Sequence, residues 1–177
     1  MSFVFLFENI LTFYFIYHYK CKLLQAKLVC RRVFLKIVLD FYYPTLDAIP
    51  LFVRRKYKKV YVLGYSVGAT LAWLCSQTGL CDVSIGFYGS RIRDYLEIKP
   101  KCPVLLFFPS EEKSFDVDEL IPQLNNVSNI QVEKLPGEHG FANRFSRNYN
   151  EQSSIRAYKK IQSCIKEASI LNYKGEI

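Results

Sequence analysis

The chain of 177 residues has no glycine before Gly64 and no proline before Pro44. Successive strand-helix-strand units need Gly/Pro punctuation at their turns, so the front of the chain does not read as a regular series of them. The N-terminus lacks a basic start and a small-residue cleavage site, which argues against a cleaved signal peptide. Paired C-x-x-C spacing is also missing. The six cysteines, Cys21, Cys30, Cys75, Cys81, Cys102 and Cys164, are scattered, so no zinc site and no other metal or cofactor is expected. They read as reduced core thiols of a cytoplasmic protein. Histidine is scarce, with only two in the chain, and there are neither repeats nor a low-complexity linker.

About half of the residues are apolar, 50%, enough to bury one core. The formal charge of +8 is confined to residues 1–60, which hold eleven Lys/Arg against three acids; the remainder has thirteen of each. The basic cluster Arg54-Arg55-Lys56-Tyr57-Lys58-Lys59 lies just before an apolar run and belongs to no extended patch. It reads as a solvated connection, and no nucleic-acid partner is expected.

Residues 3–17, from Phe3 to Tyr17, are aromatic and apolar, broken by Glu8 and Asn9, with Lys20, Lys22, Lys27, Arg31 and Arg32 beyond. Two readings stay open. The run is a buried helix or strand, or it is a membrane anchor. It is near the lower length limit of a span, and Glu8 would be costly at its centre. A soluble, cytoplasmic protein is therefore expected, with a homodimer as one way of covering this surface and a membrane-anchored protein as the alternative. A second apolar run, Val33 to Asp40, could be the strand beside the one at residues 60–63.

Residues 64–68 read Gly-Tyr-Ser-Val-Gly, between the apolar run Val60-Tyr61-Val62-Leu63 and the helix-forming run Ala69 to Cys75. Strand, sharp turn and helix with a serine at the apex make a nucleophile elbow. Glycines two residues to either side relieve the crowding that such a turn imposes. Ser66 is the candidate nucleophile, and the Val67 N–H is a candidate oxyanion donor. A serine needs a base. His18 lies in an aromatic stretch far upstream and reads as packed. His139 lies in Pro136-Gly137-Glu138-His139-Gly140-Phe141, a loop after the strand-like Ile130 to Leu135. Serine before histidine is the chain order of α/β-hydrolases.

These segments, with Ile85-Gly86-Phe87-Tyr88-Gly89 between them and Ala142-Asn143 and Tyr149-Asn150 after them, resemble the dienelactone hydrolase family of α/β-hydrolases from Lys58 to about Ile165. The resemblance implies hydrolysis of a small-molecule ester or lactone through an acyl-enzyme, with Ser66 as nucleophile and His139 as general base and then acid. It also implies an acid after the strand Pro103 to Phe108, where the chain continues Pro109-Ser110-Glu111-Glu112-Lys113-Ser114-Phe115-Asp116. Counting forward from the strand selects Glu112, and counting back from Phe115 selects Lys113. A lysine cannot orient an imidazole, so Glu112 is preferred and Asp116 is second choice. The name-giving enzymes carry a cysteine in the elbow and an arginine directly after Phe-Ala, where this chain has Ser66 and Asn143. That departure points toward general carboxylester hydrolases. Tyr65, Tyr88, Asn143 and Arg144 are candidate substrate contacts, with Arg91 a weaker one.

Only 63 residues precede Gly64, whereas the usual preceding strands take roughly a hundred at about thirty per unit. The usual oxyanion loop has no visible counterpart. The expected fold is α/β, a mostly parallel sheet with helices on both faces that lacks or rearranges its first strands. The divisions read as an atypical apolar and basic segment, 1–57, a hydrolase-like core, 58–169, and a tail, 170–177. Expected elements of the core include helices at 67–77, 91–97, 116–125 and 149–169. The alternative to an esterase is a catalytically degenerate remnant with a binding or assembly role.

Overall fold

A computed structural model describes residues 2–6, 14–15, 54–55 and 57–173. Six strands form one sheet in these residues: β1 (Ser2–Leu6), β2 (Tyr14–Phe15), β3 (Val60–Tyr65), β4 (Val83–Phe87), β5 (Val104–Glu111) and β6 (Ile130–Glu138). The spatial order is β2-β1-β3-β4-β5-β6. Only β1 and β2 pair antiparallel; the other neighbours are parallel. Beside them stand the helices α1 (Val67–Cys75), α2 (Val117–Asn125) and α3 (Glu151–Tyr173), with a 3₁₀ turn at Ser90–Asp94.

Alternation along β3 divides the core. Val60 and Val62 point to one face, with Trp73 and Leu74 of α1 and Leu120 and Leu124 of α2. Tyr61, Leu63 and Tyr65 point to the other, with Ala157 and Ile161 of α3. A side-chain period of two puts successive residues on opposite faces, so a strand covered on both faces must be apolar throughout. All of β3 and β4 is buried. Helix α1 is buried at every position but its first, which its nearly all-apolar sequence allows. Helix α3 instead buries a stripe, Ser154, Ala157, Ile161 and Ala168, at the three-to-four-residue spacing of an amphipathic helix.

One expectation falls outside the described residues and another is corrected. The strand beside β3 is β1, in register from Ser2↔Val60 to Leu6↔Gly64, and β4 occupies the other side. The apolar run Val33–Asp40 lies outside the described residues. The helix expected at 91–97 is only the 3₁₀ turn at Ser90–Asp94, ended at Tyr95, whose carbonyl accepts the Trp73 indole N–H at 2.8 Å. Of the apolar run 3–17, the described residues 3–6 and 14–15 are strand, and among the described residues no helix is long and apolar enough to cross a membrane.

Candidate active site

Strand β3 runs straight into the turn that carries Ser66. Its φ of 54° and ψ of −115° are rarely adopted by a residue with a side chain, and such strain persists only where the surroundings impose it. The Ser66 N–H donates to the Phe87 carbonyl at 2.8 Å, and the Ser66 carbonyl accepts from Ala69 N–H at 3.0 Å. Between β4 and α1 the backbone has little choice. The Ser66 hydroxyl makes no helix-capping bond. It lies 3.1 Å from His139 Nε2.

His139 directly follows the end of β6, and Gly140 after it turns the chain with a φ of +92°. Asn148 Nδ2 donates to the His139 carbonyl at 2.9 Å, fixing the loop from its far side. His139 Nδ1 is 2.7 Å from Glu112 Oε2. The Glu112 side chain is only 4% exposed, against 28% for His139, and Ser66 is buried, so the imidazole is the most exposed of the three.

Glu112 is held at both oxygens. Its Oε1 accepts from Ser114 N–H at 3.2 Å and from Ser114 Oγ at 2.8 Å. Burial pushes the Glu112 carboxyl up, but the hydrogen bonds with His139 and Ser114 outweigh it and keep the group below its ordinary value. A depressed carboxyl pKa stabilises the fold above the unfolded-state value, and that contribution is lost as pH falls through the folded value. Glu112 is therefore ionised at neutral pH. Arg93 Nη1 in turn donates to the Ser114 carbonyl at 3.2 Å, and its guanidinium lies 5.3 Å from the centre of the Phe115 ring.

Val67 is the first residue of α1, so its N–H belongs to the donors that a helix leaves without intrahelical partners, at the positive end of the helix dipole. The Tyr88 ring sits 4.7 Å from the imidazole and 5.6 Å from Phe141. Tyr88 is buried and has a φ of 45°. The other candidates are differently engaged. Tyr65 is buried with its hydroxyl 2.9 Å from that of Tyr158, and burial together with Tyr158 pushes its phenol far above the usual range. Asn143 is exposed and accepts the Phe145 N–H at 3.0 Å; Arg144 is exposed beside it. Arg91 pairs with Asp94 at 3.0 Å. Asp116 caps α2, accepting Asp118 N–H at 2.8 Å, and so is committed to the helix. Lys113 is 88% exposed and points to Glu138. Among the described residues no His/Cys/Asp/Glu group could hold a metal.

Ser114, Asn148 and Arg93 were not singled out from the sequence. Ser114 carries a local signal, a hydroxyl two residues beyond a carboxylate, at a range where side chains bond nearby backbone and each other. Asn148 and Arg93 reach the site through tertiary contacts that no spacing marks. If Ser114 steadies the carboxylate, Ser114→Ala removes one of two bonds to Oε1. A bond to a charged group contributes about 1.5 kcal/mol, and tenfold in rate is about 1.36 kcal/mol, so kcat should fall roughly tenfold with KM unchanged in steady-state ester hydrolysis.

A mostly parallel sheet with helices on both faces, a strained serine between strand and helix, and a carboxylate and a histidine arriving from the ends of β5 and β6 define an α/β-hydrolase fold. The chain belongs to the dienelactone hydrolase family, whose model matches residues 33–169. Over 95 residues it is 46% identical to the uncharacterized Bacillus subtilis protein YczH, covering 52% of this chain and 47% of that protein. Over 117 residues it is 26% identical to a Saccharolobus solfataricus protein provisionally named a carboxymethylenebutenolidase, covering 63% of this chain and 46% of that one. The chain thus spans about half the length of the curated relatives it matches. The crystal structure of esterase PE8 aligns with a TM-score of 0.54 at 17% identity, over 77% of this chain and 66% of that one, a likeness of fold.

Proposed function

We propose that the protein hydrolyses a small-molecule carboxylic ester or lactone through an acyl-enzyme on Ser66. The observation that carries this is the unbroken line Ser66 Oγ, His139 Nε2, His139 Nδ1, Glu112 Oε2, with separations of 3.1 and 2.7 Å between residues. His139 takes the hydroxyl proton as Ser66 Oγ attacks the carbonyl carbon, and Glu112 stabilises the resulting imidazolium. The Val67 N–H faces the developing oxyanion. His139 then returns the proton to the leaving alkoxide, and in the second half activates water against the acyl ester. Tyr88 walls the imidazole, while Asn143 and Arg144, on the loop beyond His139, are the side chains proposed to meet the substrate's outer part.

The absence of family-typical cysteine and arginine at Ser66 and Asn143 favours a neutral carboxylic ester over an anionic dienelactone. The test is pre-steady-state hydrolysis of p-nitrophenyl acetate by the full chain. A burst of nitrophenolate close to one equivalent of protein is expected. Folded protein, verified by circular dichroism, that releases nothing above the buffer rate would favour the alternative, a catalytically degenerate remnant with a binding or assembly role. Among the described residues the Val67 N–H is the one oxyanion donor identified, which motivates that alternative, because each donor lost costs about 10²- to 10³-fold.

A further inference from the structure

The opposite end of the sheet holds a second pair of reactive side chains. Cys81 lies two residues before β4 and Cys102 two residues before β5, and these strands are parallel neighbours. Parallel pairing brings the two entry points together, and the sulfurs meet at 3.5 Å although 21 positions separate them in sequence. Each residue is only 4% exposed. The pair is nonetheless one layer deep, since Lys101 and Pro103 beside Cys102 are exposed, and Leu80 and Asp82 beside Cys81 are partly so. The sulfurs also meet carbonyls, that of Cys75 at 3.6 Å from Cys81 and that of Ser76 at 3.9 Å from Cys102.

We propose that Cys81 and Cys102 are a modification site for small peroxides, which convert the dithiol to a reversible disulfide joining the starts of β4 and β5. Two apolar side chains in contact would have no further chemistry. Two thiols in contact do, because a sulfenic acid on one is resolved by the other before further oxidation. Hydrogen bonding from Cys102 lowers the Cys81 thiol pKa, while the same bond, followed by burial, raises that of Cys102. The contact thus favours Cys81 over Cys102 as the attacking sulfur. The Cys81 sulfur attacks one oxygen of hydrogen peroxide, the O–O bond breaks, and hydroxide leaves to take up the proton released by Cys81. The Cys102 sulfur then attacks the Cys81 sulfur, the S–O bond breaks, and the oxygen departs with the Cys102 proton as a second water. Two thiols and one peroxide give one disulfide and two waters. The bond requires the sulfurs to close from 3.5 Å to about 2.05 Å, a movement on the scale of side-chain rotation.

The experiment treats the full wild-type chain with hydrogen peroxide, alkylates remaining thiols in denaturant, and maps peptides by mass spectrometry. The expected product is a Cys81–Cys102 cross-linked peptide, abolished by dithiothreitol. A rise of roughly 5 °C or more in the non-reducing thermal midpoint should accompany it, since the cross-link restricts the unfolded chain. In Cys102→Ser the Cys81 sulfenic acid should persist and be trapped by dimedone. Quantitative alkylation of both cysteines after peroxide, conversion of Cys81 to sulfinic acid beside a free Cys102, or linkage of either to another cysteine would overturn the proposal. None of these readouts uses esterase activity, so the outcome is independent of the triad.

Discussion

Glu112→Gln is expected to lower kcat by about 10⁴-fold, the scale on which a triad acid acts when its carboxylate becomes an amide. The amide is nearly the same size and can still face His139 Nδ1. It cannot stabilise an imidazolium, and its N–H₂ end would favour the wrong tautomer. Both Ser114 bonds to Oε1 remain available to the amide oxygen, so the thermal midpoint at neutral pH should move little. The low-pH branch of stability should change in a specific direction. The wild type loses the carboxylate's contribution as pH falls through the lowered pKa, and Glu112→Gln has no such contribution to lose. Steady-state kinetics with paired thermal melts check this. Wild-type turnover in the variant would take the acid's role from Glu112, and Asp116, already bound to α2, would be a poor replacement.

The second large effect concerns packing. A Cβ at Gly64 would lie 1.9 Å from the Gly68 carbonyl oxygen, 2.2 Å from its carbon and 2.6 Å from Ala69 N. All three are backbone atoms of the α1 start, and no side-chain rotation relieves them. Overpacking of a core ordinarily costs about 1–3 kcal/mol and sometimes more. With a rigid backbone as the obstacle, Gly64→Ala should cost about 3 kcal/mol or more, a large share of the roughly 5–15 kcal/mol that holds a domain together. Urea denaturation should show a fallen midpoint, and whatever folds should have lost the Ser66 geometry. An unchanged midpoint would mean that α1 stands further from β3 than described here.

The elbow was legible because its requirements are local: a strand, a serine and glycines at fixed offsets. The carboxylate was harder because its register depends on where β5 ends. With the strand read as ending at Phe108, the count forward from it reached Glu112 and the count back from Phe115 reached Lys113. Strand β5 in fact continues through Pro109 to Glu111, which brings Glu112 immediately to the strand end. Proline is tolerated there for two reasons. Beyond Phe107 the pairing with β4 has ceased and only β6 remains alongside, and the ladder is irregular between Pro109 and Glu111. Such places, edges and bulges, are where strands accept proline. Pro136 in β6 likewise sits on a strand with one neighbour in the described sheet. The expected strand end at Leu135 was short by three residues for that reason.

At the front end, composition gave an apolar run without its partner. The pairing of Ser2–Leu6 with β3 is a non-local choice that neither hydropathy nor the missing punctuation could make. Tyr158 is a similar case. Its hydroxyl meets Tyr65 across 93 positions, an association visible only once α3 is laid over the end of β3.

The central claim is that His139 and Glu112 activate Ser66, and active-site labelling tests it most directly. A fluorophosphonate probe should add to the full wild-type chain at one site, mapped by mass spectrometry to Ser66. Labelling should disappear in Ser66→Ala and fall by orders of magnitude in His139→Ala. Folded wild-type protein that takes no label, or that is labelled elsewhere while Ser66 stays free, would contradict the account.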